Sequence, residues 1–171
     1  MTADESVGAL TIRRLGTPGD LGWMIMAHGE LYAEEFGWDA GFEALVARIV
    51  ADFAGSADVG REAGWIAELD GRRVGCVLCV ADHDRPDTAK LRILLVAPSA
   101  RGHGLGGRLV DACVEFARAA GYARLELWTN DVLTAARRIY RSRGFVRGTQ
   151  EPHHSFSKDL VGESWSLTLA S

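Results

Sequence analysis

No apolar run in this 171-residue chain approaches the roughly 20 residues needed to span a bilayer, which argues against a helical membrane protein. Its opening stretch, MTADESVGAL, lacks the basic start and apolar centre of a secretory signal, so a cytoplasmic location is expected. Positive charge is not in excess either. Nineteen Lys and Arg against 23 Asp and Glu leave a formal net charge of −4, which counts against nucleic acid as the main partner. Cysteine is scarce: Cys76, Cys79 and Cys113 form an odd set inside apolar segments. Cys76 and Cys79 do spell C-x-x-C, but within VGCVLCV they read as buried small hydrophobes rather than a redox pair or metal clip. No third ligand stands at metal-binding spacing from the neighbouring His153 and His154, so no metal is expected. Repeats and low-complexity blocks are missing. What remains is an ordinary globular composition over a length that suits one domain, residues 1–171.

The elements follow from periodicity and punctuation. LTIRRL (Leu10–Leu15) alternates weakly and predicts a first strand. TPGD then reads as a helix start, with Thr17 capping, Pro18 at the first position and Asp20 in the first turn; the helix runs to about Phe36 and Gly37 ends it. Apolar Phe42, Leu45, Val46, Ile49, Val50 and Phe53 mark a second helix over residues 40–53. Asp70-Gly71 between two β-rich runs signals a hairpin. AKLRILLV (residues 89–96) is a further strand, and the helix from Leu105 is stopped by Gly121. ARLELWT (residues 123–129) predicts a strand and VLTAARRIYRSRG a helix closed by Gly144. FVRGT and SWSLTL read as the last two strands, separated by a long loop holding His153 and His154. The order β-α-α-β-β-β-α-β-α-β-β describes an α/β domain with a mixed, mostly antiparallel central sheet flanked by about four helices.

The stretch VAPSARGHGLGGRLV packs glycines and arginines between a strand and a helix. Such a turn presents free backbone N–H groups and the positive end of a helix dipole, and glycine lets the backbone approach an anion closely. Gly102, Gly104 and Gly107 satisfy G-x-G-x-x-G, and Asp131 lies where a ribose-binding acid is expected of a dinucleotide fold. Against that fold, APSAR separates the strand from the first glycine, and the preceding strands are joined by hairpin signals. A P-loop is excluded because no Gly-Lys-Ser/Thr follows.

LLVAPSARGHGLGGRLV followed by AARRIYRSRGF resembles the GNAT N-acetyltransferase superfamily, whose phosphate motif Arg/Gln-x-x-Gly-x-Gly/Ala is met by Arg101, Gly104 and Gly106. The stretches HGELYAEEFGWD, LWTNDVL and EPHHSFSKDLVGESW further resemble acetyltransferase domains fused to winged-helix regulators of the antibiotic-resistance-repressor type; only the transferase half is expected here. The resemblance implies acetyl-CoA as cosubstrate. Its diphosphate would sit on the amides of Gly102, His103, Gly104, Leu105, Gly106, Gly107 and Arg108, beside Arg101. Its pantetheine arm would run along the free edge of the strand end Leu94, Leu95 and Val96, with the Val96 amide facing the oxyanion. Tyr140 matches the family's tyrosine acid. Where relatives often carry Asn seven residues before it, this chain has Leu133, and Asn130 is the substitute contact for the cofactor arm.

Acetyl transfer to an amine also needs a base, because a lysine-like amine has a pKa of about 10. The strand before the turn offers Lys90 and Arg92 and no acid. The first helix carries Leu21, Ile25, His28, Tyr32 and Glu35 at helical intervals, apolar at one end and polar at the other. That polar end either faces solvent or lines an acceptor pocket with Trp38. In the second case Glu35 is the first choice of base and His28 the second. Trp128, His153 and His154 are candidates for acceptor contacts, with core packing or plain exposure as the alternatives. The reading is an N-acetyltransferase acting directly on a small-molecule amine, compact and cationic, with a homodimer as the assembly to test. A non-catalytic sensor of acetyl-CoA or another effector is the alternative.

Overall fold

The computed structural model describes residues 8–56, 58 and 60–169; the amino-terminal stretch examined for a leader falls mostly outside them. The elements in chain order are β1 (Leu10–Arg14), α1 (Asp20–Phe36), α2 (Ala40–Gly55), β2 (Ala63–Leu69), β3 (Arg72–Ala81), β4 (Thr88–Val96), α3 (Leu105–Ala119), β5 (Arg124–Asn130), α4 (Thr134–Ser142), β6 (Val146–Ser155) and β7 (Lys158–Thr168). A single-turn 3₁₀ segment, Pro98–Ala100, lies between β4 and α3. The seven strands form one sheet in the order β1-β2-β3-β4-β5-β7-β6, antiparallel throughout except for β4 beside β5. This is the mixed, mostly antiparallel sheet with four helices that the sequence predicts.

Strand alternation divides the core between two faces. On one, Cys79, Leu91, Leu125 and Leu127 pack under Leu105, Leu109 and Cys113 of α3. On the other, Ile66, Cys76, Leu78 and Leu95 pack under Met24, Val46 and Val50 of α1 and α2. Cys76 and Cys79 therefore lie on opposite faces of β3, buried and unpaired, which is why their C-x-x-C spacing brings no sulfur pair together. Among the described residues no group of His, Cys, Asp and Glu is placed to hold a metal ion, and no helix is long and apolar enough to cross a membrane.

Two local expectations are corrected. Thr17 does not cap α1; Gly19 precedes the helix at φ 97°. Asp20 turns inward and is 1% exposed, accepting hydrogen bonds from the Gly16 and Thr17 amides at 3.0 and 2.9 Å and from Arg13 and Arg73 at 2.8 Å. The two arginines satisfy a buried carboxylate and hold it below the usual carboxylate range, and this outweighs a local cap. Secondly, the supposed loop around His153 and His154 is strand. β6 and β7 form a long hairpin turned by Phe156 and Ser157 at φ 56° and 66°. Both turn residues occupy the left-handed region without the Asn or Gly that usually announces such a turn, so no sequence signal marks it. The Asp70-Gly71 hairpin, with φ 52° and 77°, forms as expected.

Candidate active site

The site begins with a defect in β4. The β3–β4 register shifts between Cys76 and Leu78, and Ile93 takes φ 48°. A β-branched residue in the left-handed region is strained and marks a bulge that bends its strand. On the other side, the parallel pairing of β4 with β5 stops at Lys90–Glu126, and the strands separate. The Ala97 amide donates to the Val74 carbonyl at 2.7 Å, while Gly75 faces Val96. In an antiparallel ladder this makes Gly75–Val96 a non-bonded pair, so the Val96 N–H points away from β3 into the gap. By the same alternation Leu95 directs its backbone at β3, and only its other atoms border the gap.

Two cavities open at the separation. A groove of about 550 Å³ runs over the β4 end, the glycine turn and the start of α4. A second cavity of about 340 Å³ lies between α1, α2 and the β6–β7 hairpin. Tyr32, Leu94, Leu133 and Ala136 border both, so the two meet.

The groove holds most of the expected cofactor residues. Gly102 and Gly104 take φ 86° and 69°, and Gly104 precedes α3 with no side chain capping the first-turn amides. At Gly106 an added Cβ would lie 2.7 Å from Ile139 Cδ1, and at Gly107 it would lie 2.3 Å from the Arg143 guanidinium. These two glycines let α4, which carries Tyr140, sit close to α3. Arg101 pairs with Glu35 (2.6 Å) and donates to the Val96 carbonyl (3.4 Å). Glu35 therefore belongs to the groove wall and does not border the second cavity. His103 and Arg108 are exposed and border neither cavity.

The second cavity gathers the remaining candidates. His28 is buried, with Nδ1 2.7 Å from the Met24 carbonyl oxygen. A carbonyl only accepts, so Nδ1 carries the proton and Nε2, which has no partner, is a free lone pair. Burial pushes the imidazole pKa down to about 4, against the raising effect of the Met24 and Ile93 carbonyls. Tyr32 stacks on His28 with centroids 5.8 Å apart and packs on Trp38 at 5.1 Å and Phe42 at 4.7 Å. Tyr140 is packed against Phe145 and Trp165, and burial raises its phenol pKa, so it stays protonated.

Asn130 lies in this cavity and not in the groove, which changes its expected role. Its Oδ1 is 2.8 Å from His153 Nε2, and His153 Nδ1 is 2.9 Å from the Ser155 hydroxyl. Strand alternation sends His154 outward, where it is exposed and pairs with Asp159. Trp128 borders the cavity while 48% exposed, lying over Gly162, where a Cβ would come within 2.0 Å of the indole.

Sequence reasoning missed Arg92, Phe42 and Phe156 as cavity walls. The signal for Arg92 was present: a charge inside the apolar run AKLRILLV. Phe156 carried none, because its turn is unmarked. Its carbonyl accepts from the Asp39 amide at 3.3 Å, and the Ser157 hydroxyl donates to Asp39 at 2.6 Å. These bonds tie the hairpin tip to the α1–α2 junction and close that end of the cavity.

Comparison with known proteins supplies the family and the fold. The sequence profile of the acetyltransferase (GNAT) family matches residues 26–145. An uncharacterized N-acetyltransferase of Archaeoglobus fulgidus is 33% identical over 86 residues, covering 48% of this chain and 58% of that protein. The human protein named N-acetylaspartate synthetase is 37% identical over 106 residues, 62% of this chain and 33% of its own length. The chain thus spans between a third and three fifths of these relatives. Among solved structures, an N-acetyltransferase from Staphylococcus aureus superposes with a TM-score of 0.77 at 18% identity, covering 95% of this chain and 99% of that one. A putative acetyltransferase from Salmonella typhimurium, solved with its cofactor acetyl-CoA, superposes at 0.72 with 19% identity over 95% of both chains. At these identities the superpositions establish the fold.

Proposed function

Since the chain belongs to the acetyltransferase (GNAT) family, we propose that it moves an acetyl group from acetyl-CoA to the amine nitrogen of a small molecule, by direct attack in a ternary complex. The observation that carries this reading is the junction of the groove with the second cavity at Tyr32 and Leu94, beside Tyr140. One opening suits a long phosphate-bearing arm; the other suits its reaction partner.

The groove fits acetyl-CoA on its own features. Uncapped amides at the start of α3, reached through Gly102 and Gly104, suit a diphosphate. The outward backbone of Leu94 and Val96 suits the amides of the pantetheine arm. The thioester then lies at the junction. The amine lone pair attacks its carbonyl carbon, and the oxygen takes up negative charge facing the Val96 N–H. Collapse of this intermediate breaks the C–S bond. The departing sulfur receives a proton from Tyr140, whose phenol is still protonated at working pH. Nitrogen releases a proton to solvent, from which the Tyr140 phenolate recovers its own, and the products are an amide and a free thiol. We assign the contact to the attacking amine to His28, which borders the cavity and whose buried Nε2 has no partner, in place of Glu35, which Arg101 engages.

The tied hairpin tip favours a small acceptor over a peptide chain, since it closes the end of the cavity. Free Cys76, Cys79 and Cys113 suit a reducing, cytoplasmic setting. A thiol-release assay with acetyl-CoA and a panel of small amines tests the proposal. Amine-dependent release is expected. Coenzyme A binding without release would instead make this a sensing module, in keeping with the resemblance to domains fused to winged-helix regulators.

A further inference from the structure

We propose that the acceptor is an amino acid with an apolar side chain, whose carboxylate pairs with Arg92 while its amine reaches the junction. This rests on the transferase reading and names the substrate class of the same site.

Lys90 and Glu126 form the last parallel pair of β4 and β5. Arg92 and Trp128 stand two residues further along each strand, hence on the same face, looking across the opening. Charges just before the opening are matched: Lys90 with Asp82 at 3.5 Å, and Glu126 with Arg85. Arg92 is half-buried and has no such partner among the described residues. The acid whose field reaches it is Asp52, exposed on α2, and burial works against its charge.

No Asp or Glu among the described residues borders the 340 Å³ cavity, and Arg92 supplies its one permanent charge. A plain cationic amine would meet a guanidinium and no carboxylate there, which counts against a compact cationic acceptor. A carboxylate fits instead, because the planar fork of a guanidinium binds its two oxygens together and a poorly solvated one gains most from doing so. The rest of the wall near Arg92 is apolar: Leu45, Ile49, Leu91, Leu127 and the indole of Trp128. That surface suits an aliphatic or aromatic side chain. The volume sits at the low end of small-molecule sites, roughly 300–1,000 Å³.

The test compares L-phenylalanine and L-leucine with phenethylamine and isoamylamine, the same molecules lacking the carboxylate, in the thiol-release assay. The amino acids are expected to show kcat/KM at least 10-fold higher. Arg92→Gln should raise their KM about 10- to 100-fold and bring the ratio of kcat/KM between each amino acid and its amine close to one; Arg92→Lys should recover part of the preference. KM for acetyl-CoA should not follow these changes. Wild-type turnover of the amines equal to or faster than that of the amino acids would overturn the proposal while leaving the transferase reading intact. So would an unchanged preference in Arg92→Gln. Release with neither set, nor with any other amine, would overturn both.

Discussion

His28 Nδ1 donates to the carbonyl of Met24, one helical turn earlier, across 2.7 Å. The bond fixes the tautomer and leaves the buried Nε2 without a hydrogen-bond partner, on a residue that borders the second cavity. Holding the ring neutral has a consequence for stability. Its pKa falls from 6.5 to about 4 on folding, so between those values the unfolded chain binds the proton and the native protein does not. Stability from this group is complete above pH 6.5 and is lost as pH falls toward 4, by about 3 kcal/mol at the limit. Urea unfolding at pH 7.5 and pH 5 should show the loss in the wild type. In His28→Phe, which keeps a ring in place, the loss between those pH values should shrink by about 2 kcal/mol.

Tyr140 is assigned to the departing sulfur. Tyr140→Phe removes only the hydroxyl and keeps the packing on Phe145 and Trp165. Steady-state kinetics should show kcat reduced about 100-fold, with KM for acetyl-CoA changed less than about threefold. An unchanged kcat would remove the phenol from the reaction.

Gly104 precedes α3 at φ 69°, and an added Cβ would meet nothing within 4 Å. The requirement for glycine is therefore conformational. Gly104→Ala should cost about 1 kcal/mol of stability. By shifting the first-turn amides it should raise KM for acetyl-CoA at least fivefold, with a smaller effect on KM for the acceptor. Thermal unfolding and kinetics separate the two effects.

Gly162 makes room for the Trp128 indole, which an added Cβ would approach to 2.0 Å. Trp128 is half exposed and can swing away, so Gly162→Ala should displace the ring at little cost in stability. KM for the acceptor should rise about fivefold. Trp128→Ala should do the same, and the double variant should be no worse than either alone, because both remove one contact.

Where local chemistry controls the outcome, the sequence was readable. The strand–glycine turn–helix at 89–119 and the Asp70-Gly71 hairpin announced themselves by residue type and spacing, whereas Tyr140 stood out only through the family resemblance. The second cavity did not. Its far wall depends on the Phe156–Ser157 turn, whose residues are not those such turns prefer, and on bonds to Asp39, more than a hundred residues away in the chain. The roles of Glu35 and Asn130 shifted for a similar reason. Glu35 was placed by helix spacing and Asn130 by its nearness to Leu133, where relatives carry Asn, but Arg101 draws Glu35 to the groove and His153 holds Asn130 in the cavity. Arg92 was visible as a charge in an apolar strand. Its meaning required knowing that β5 leaves β4 just before it.

The central claim is that the groove and the cavity meet where the thioester is delivered. A crystal structure of the protein with coenzyme A and an amino acid tests it most directly. The account predicts the diphosphate on the amides of residues 102–107, the sulfur within hydrogen-bonding reach of the Tyr140 hydroxyl, and the amine on the far side of the same junction. Coenzyme A bound in the groove with its thiol turned away from Tyr140, or bound elsewhere on the protein, would contradict it.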